Sequence, residues 1–78
     1  MEENYKGYNI VAWATEGNPT TASFTIRQRR DDGEFVDLHG PQLVEGNISN
    51  EEVTVRKAIE VACALIDAGP GSFKPPNR

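Results

Sequence analysis

The stretch TIRQRRDDGEFVDL, residues 25–38, sets three arginines and four acids around a single glycine. Residues two apart on a strand share a face, so Arg27 and Arg29 can act as an anion-binding pair or as halves of cross-strand pairs with acids beyond the turn. Val11 and Trp13 upstream, and Phe35 downstream, fall on the same side of the alternation. Guanidinium groups among aromatic rings suit two chemistries. One is anchoring another protein, where Trp and Arg carry much of the contact energy. The other is stacking unpaired bases on an open sheet, as single-strand nucleic-acid binders do. Val11, Trp13, Arg27, Arg29 and Phe35 are therefore the candidate binding residues.

The remaining reactive side chains point to less. His39 is the only histidine and has no carboxylate or nucleophile at a recognisable spacing, so it reads as a surface or strand-end residue. Cys63, the only cysteine, falls in an apolar helical stripe, where cysteine behaves as a small hydrophobe rather than a thiolate. Asp31, Asp32, Glu34 and Asp37 crowd a turn too short for a calcium loop. Gly69 and Gly71 bracket a proline and do not open a helix after a strand, so they form no phosphate loop. No catalytic residue, metal or cofactor is expected.

The composition narrows the classes further. Eight Lys and Arg against 12 Asp and Glu give a formal charge of -4, which opposes general duplex binding. A chain of 78 residues buries only roughly 60–65% of its unfolded surface. That leaves room for one helix on one sheet. With one cysteine, no apolar run near 18 residues and no cationic-then-apolar start, the expectation is a soluble cytoplasmic protein without signal or membrane span.

The elements that must position these residues follow from periodicity. Residues 5–15 are rich in aromatic and β-branched types and read as a first strand, with Tyr8, Ile10, Ala12 and Ala14 on one face. Residues 23–30 alternate, Phe24 and Ile26 against Thr25, Arg27 and Arg29, and residues 34–39 form a third strand with Val36 and Leu38 inward. Register decides the turn between them. A two-residue loop at Asp32–Gly33 would put Arg27 opposite Leu38 and mix charge with core. A three-residue loop, Asp31-Asp32-Gly33, puts Arg30 opposite Glu34, Arg27 opposite Asp37, Gln28 opposite Val36 and Ile26 opposite Leu38, and gives Gly33 the left-handed position of a type I turn plus bulge. In that arrangement Arg27 pairs with Asp37, and Arg29 lies over Phe35.

Residues 40–47 read as a connector that drops Leu43 or Val44 onto the core edge. A helix then runs to Gly69. Ser49 and Glu52 spell a capping box, and Ile48 with Val53 a hydrophobic staple. Val55, Ala58, Ile59, Ala62, Cys63, Leu65 and Ile66 form its apolar stripe, with Thr54, Lys57, Glu60, Ala64 and Asp67 on the far side. Tyr5 and Tyr8, with Gly7 bending the chain between them, frame the helix edge. The fold class is α+β: a three-stranded antiparallel meander with one C-terminal helix on one face, β-β-β-α. Residues 1–69 form the domain and residues 70–78 a flexible tail.

YKGYNI at residues 5–10, followed by a hairpin and a helix closing on LIDAG at residues 65–69, resembles a group of small bacterial proteins without assigned activity. They share a Tyr-x-Gly-Tyr opening, a β-meander and a last helix ending in Ile-Asp. The resemblance implies this fold and a bacterial cytoplasmic setting, and no chemistry. The element order is also similar in outline to double-stranded-RNA-binding domains. Those need a helix before the first strand and a basic opening to the last helix, which here reads SNEEV. That function is not carried over.

The expected function is a non-enzymatic interaction module whose open sheet face contacts a partner protein or a second copy. Two alternatives stand beside it: single-stranded nucleic-acid binding by the same face, and inhibition of a basic protein through Asp31, Asp32 and Glu34.

Overall fold

The computed structural model describes residues 1–15, 21–45 and 51–74. Four strands, β1 (Glu2–Tyr5), β2 (Tyr8–Thr15), β3 (Thr21–Arg29) and β4 (Phe35–Glu45), form one antiparallel sheet in the order β1-β2-β3-β4. The helix α1 (Glu51–Ala68) and a 3₁₀ turn (Pro70–Ser72) follow. The α+β class and the C-terminal helix agree with the sequence reading; the sheet has four strands rather than three. No helix among the described residues is long and apolar enough to cross a membrane.

The extra strand comes from the YKGY opening. Lys6 and Gly7 both have positive φ, 51° and 85°, which makes them the two-residue loop of a type I′ hairpin, with Tyr5 paired to Tyr8. The strand read from 5 to 15 therefore begins at Tyr8, and Tyr5 is the last residue of a separate strand that lies upstream of it. Tyr8, Ile10, Ala12 and Ala14 face the helix as expected. Ile10 and Ala12 are fully buried.

The tip of the β3–β4 hairpin has the three-residue loop. The Arg30 backbone N–H donates to the Glu34 carbonyl at 2.7 Å, Gly33 takes φ 89°, and Arg27 and Gln28 stand opposite Asp37 and Val36. Further along, the register slips. Ile26 pairs with His39, not Leu38, because a bulge beside Arg27 inserts one residue. A second irregularity between Phe24 and Ile26 brings Gln42 opposite Phe24. Val36 and Leu38, expected inward, are exposed and half-buried. The helix lies chiefly over β2 and β3, so the tip end of β4 has no cover. What β4 contributes to the core is His39 and Val44. Leu43 turns outward, and residues 40–45, read as a connector, belong to the strand.

Phe24, Ile10 and Ile26 sit at the centre of the core, against Val55, Ala58, Ile59, Ala62 and Ile66 of α1. Thr54, assigned to the far side, is buried at 2% exposure and belongs to the packed face. Cys63 and Leu65 are only half-buried. Ser49 and Ile48 lie outside the described residues. Glu52 forms an ion pair with Arg56 one turn on, at 3.1 Å. Residues 70–74, read as the start of a loose tail, are docked: Phe73 packs edge-on against Tyr8 at 5.5 Å, and the Lys74 backbone bonds to His39 and Gly40.

Candidate binding face and the His39 corner

The sheet has one face under α1 and one that no described element covers. Alternation and register place Asn9, Val11 and Trp13 of β2, Ser23, Thr25, Arg27 and Arg29 of β3, and Phe35, Asp37 and Leu43 of β4 on the uncovered face. All five sequence-derived candidates are there. Val11, Trp13 and Arg27 line one depression of about 230 Å³ with Thr25 and Asp37. Trp13 and Leu43 stand at either end of a cross-strand row with the small Ser23 between them, and are 40% and 58% exposed.

Arg27 is tied into this face from three sides. Its Nε donates to Asn9 Oδ1 at 2.6 Å, its guanidinium lies 3.5 Å from Glu2, and its Cζ sits 4.1 Å from the centre of the Phe35 ring. The Asn9 amide in turn donates to Glu2 and Asn4. Asp37 is opposite Arg27 in register, yet the ion pair goes to Glu2, because β1 brings a carboxylate to the other flank. The stacking expected of Arg29 over Phe35 is likewise made by Arg27, diagonally across the pair, a reach long side chains have. Arg29 stands opposite Phe35 nearer the tip, exposed. The arginine ladder therefore runs towards β1, and its acidic half is Glu2.

A second locus does not follow from the alternation pattern. His39 is 4% exposed rather than at the surface, with its ring stacked on Phe24 at 5.6 Å. Its Nδ1 accepts the Lys74 backbone N–H at 2.9 Å, so the proton of the neutral ring is on Nε2, which donates to Gln42 Oε1 at 2.5 Å. Gly40 beside it has φ 91°, follows the bulge and precedes a cis bond to Pro41. A Cβ at that position would lie 2.6 Å from the Phe24 carbonyl oxygen, so the corner is closed to any residue but glycine. The usable signal was a histidine-glycine-proline run at the end of an alternating strand.

Two further groups have perturbed protonation. Hydrogen bonds from Lys6 Nζ, at 2.6 Å, and from the Tyr5 hydroxyl, at 3.0 Å, hold the Asp67 carboxyl below its usual range. The same contacts raise Lys6 and Tyr5. Burial first, then Glu3, Asp67 and Glu60, push the Cys63 thiol up, which reduces its thiolate character.

No protein-family model matches the chain, and neither the curated proteins nor the solved structures compared with it give a match.

Proposed function

We propose that this protein is a non-catalytic interaction module that docks another protein on the uncovered face of its sheet. The observation that carries this reading is the Trp13–Ser23–Leu43 row, which sets two large exposed apolar side chains about a small residue, beside a guanidinium already held in place. Anchors held in one conformation lose little entropy on binding. The two sheet edges are poorer candidates. β1 is short and carries Glu2 and Glu3, while β4 is interrupted by its bulges and by Pro41, devices that discourage edge pairing.

The size and charge of the face indicate the kind of partner. Four strands at ordinary spacing present on the order of 500 Å², less than the roughly 800 Å² per side of a standard stable interface. The contact is therefore transient. Two copies at -4 each repel, so a net cationic partner protein is favoured over a second copy. The base-stacking alternative is weakened by the contact that fixes Arg27. It covers a face of Phe35 that a base would need, and Glu2 offsets the charge.

The reading is tested by capture from a bacterial extract with the wild-type chain and with Trp13→Ala and Leu43→Lys in parallel. It expects a basic protein retained by wild type, released by moderate salt and lost from both variants. Identical retained sets would sink it. Amide shifts at Val11, Trp13 and Phe35 that track protein concentration would replace the partner with a second copy. Shifts appearing only with a short mixed-sequence RNA would restore the nucleic-acid reading.

A further inference from the structure

On the opposite side of β4 from the Trp13 row, the His39 corner opens into a depression of about 560 Å³ between β4, the last turns of α1 and the 3₁₀ turn. That volume lies within the range of small-molecule sites. Leu65, Pro41 and His39 line it together with three residues whose side chains carry hydrogen-bond donors: the Gln42 amide nitrogen, the Ser72 hydroxyl and the Lys74 ammonium. The Gln42 amide nitrogen, the Ser72 hydroxyl and the Lys74 ammonium make no hydrogen bond or ion pair among the described residues, and no carboxylate of a described residue lines the depression although acids outnumber bases in the chain.

The histidine determines which way the amide points. The Lys74 backbone N–H occupies Nδ1, so Nε2 must be the donor, and the Gln42 oxygen must be the acceptor. Both hydrogens of the Gln42 amide nitrogen are then left without a partner among the described residues, on a half-buried side chain held by a buried ring. Two neutral donors and one cation match a single negative charge on planar oxygens; a dianion would ask for more cations. We propose that this corner is a binding site for small organic carboxylates with an apolar body, the carboxylate held by Gln42, Ser72 and Lys74 and the body resting on Leu65 and Pro41.

The probe is benzoate, added to the ¹⁵N-labelled full chain while amide signals are recorded. Saturable shifts are expected at the Gln42 side-chain amide and at the Leu65, Ser72 and Lys74 backbone amides. Benzyl alcohol, which has the ring without the charge, should bind roughly tenfold more weakly or less. Gln42→Glu keeps an oxygen for His39 and replaces the donor nitrogen with a repelling oxygen, and should weaken benzoate by roughly tenfold or more. Lys74→Gln, at an exposed position that leaves the backbone bond to His39 intact, should weaken it as well and serves should Gln42→Glu disturb folding. Trp13→Ala should bind benzoate like wild type, so failure here and failure of the sheet-face reading are separable. Non-saturating shifts, an equal response to benzyl alcohol, tighter binding of inorganic phosphate at the same signals, or wild-type affinity in Lys74→Gln would each overturn the assignment.

Discussion

The tip and the bulge of the β3–β4 pair contain glycines with almost the same backbone angle and quite different surroundings. Gly33 at the tip has φ 89° and Gly40 at the bulge φ 91°. At the tip, an added Cβ would find nothing nearer than an Arg29 nitrogen at 3.9 Å, the end of a flexible side chain. At the bulge it would strike the Phe24 carbonyl oxygen at 2.6 Å and the Gln42 nitrogen at 3.0 Å. The tip is a turn made by its own few residues. The bulge is held by contacts with Phe24 in the core, Phe73 and Lys74, which come from distant parts of the chain. Conformational demand is alike at the two positions, and the difference lies in what tertiary packing allows.

The most direct way to break this comparison is to put alanine at both glycines. Gly40→Ala should cost roughly 3 kcal/mol, the positive-φ penalty plus displacement of rigid backbone. Gly33→Ala should cost about 1 kcal/mol, the φ penalty alone. Urea unfolding of the two variants beside wild type measures both. Equal losses would mean that the bulge has slack the geometry does not show. His39→Leu falls between them. It leaves the Lys74 N–H and the Gln42 oxygen without their partner but keeps an apolar body against Phe24, and should cost roughly 1–3 kcal/mol. It should also release Phe73 and Lys74, seen as faster amide exchange at Lys74 while exchange at the tip is unchanged.

The same contrast explains what was legible in the sequence. The tip loop, its register and the outward placement of Val11, Trp13, Arg27, Arg29 and Phe35 follow from alternation and from glycine in a short acidic turn, all local signals. The helix and its stripe follow from 3.6-residue periodicity, with Thr54 misplaced because a small polar residue one position from Val55 carries no clear sidedness. The first hairpin was missed, although Lys6-Gly7 between two tyrosines is a two-residue turn signal, because the aromatic run drew the strand through it. His39 was misjudged for a deeper reason. Its burial depends on two bulges and on a segment 35 residues away, and no local pattern encodes that contact. Arg27 was placed correctly and given the wrong partner, since its acid comes from the strand that had not been recognised.

The two faces of the sheet give a smaller effect. Ile10 and Ala12 on the covered side are wholly buried, whereas Trp13, the next residue of β2 and on the other face, is 40% exposed. Trp13→Ala should therefore cost under about 1 kcal/mol in urea, well below the several kcal/mol of a buried aromatic truncation, while abolishing partner capture. A loss of core size would show that Trp13 is a structural residue and remove the anchor from the proposed interface.

The smallest effect concerns the strap between the first hairpin and the end of α1. Asp67 lies in the last turn of the helix, where a carboxylate opposes the dipole and no basic residue of that turn offsets it. Lys6, presented by the type I′ loop, and the Tyr5 hydroxyl supply the compensation from outside the helix. Asp67 should titrate below the ordinary 3.8 when followed by carboxyl NMR, and Lys6→Met should move its midpoint back up. Because the folded value is the lower one, the strap's contribution is complete above the unfolded value and is lost as acid passes the folded value. Tyr5 and Lys6 are raised, so their share is complete below their unfolded values and is lost as the pH rises through the folded ones. Asp67→Asn should thus lower stability slightly on a plateau between those limits and leave it unchanged in strong acid. A pH-independent difference would mean that the carboxylate's charge contributes nothing and that the hydrogen bonds alone join the hairpin to the helix.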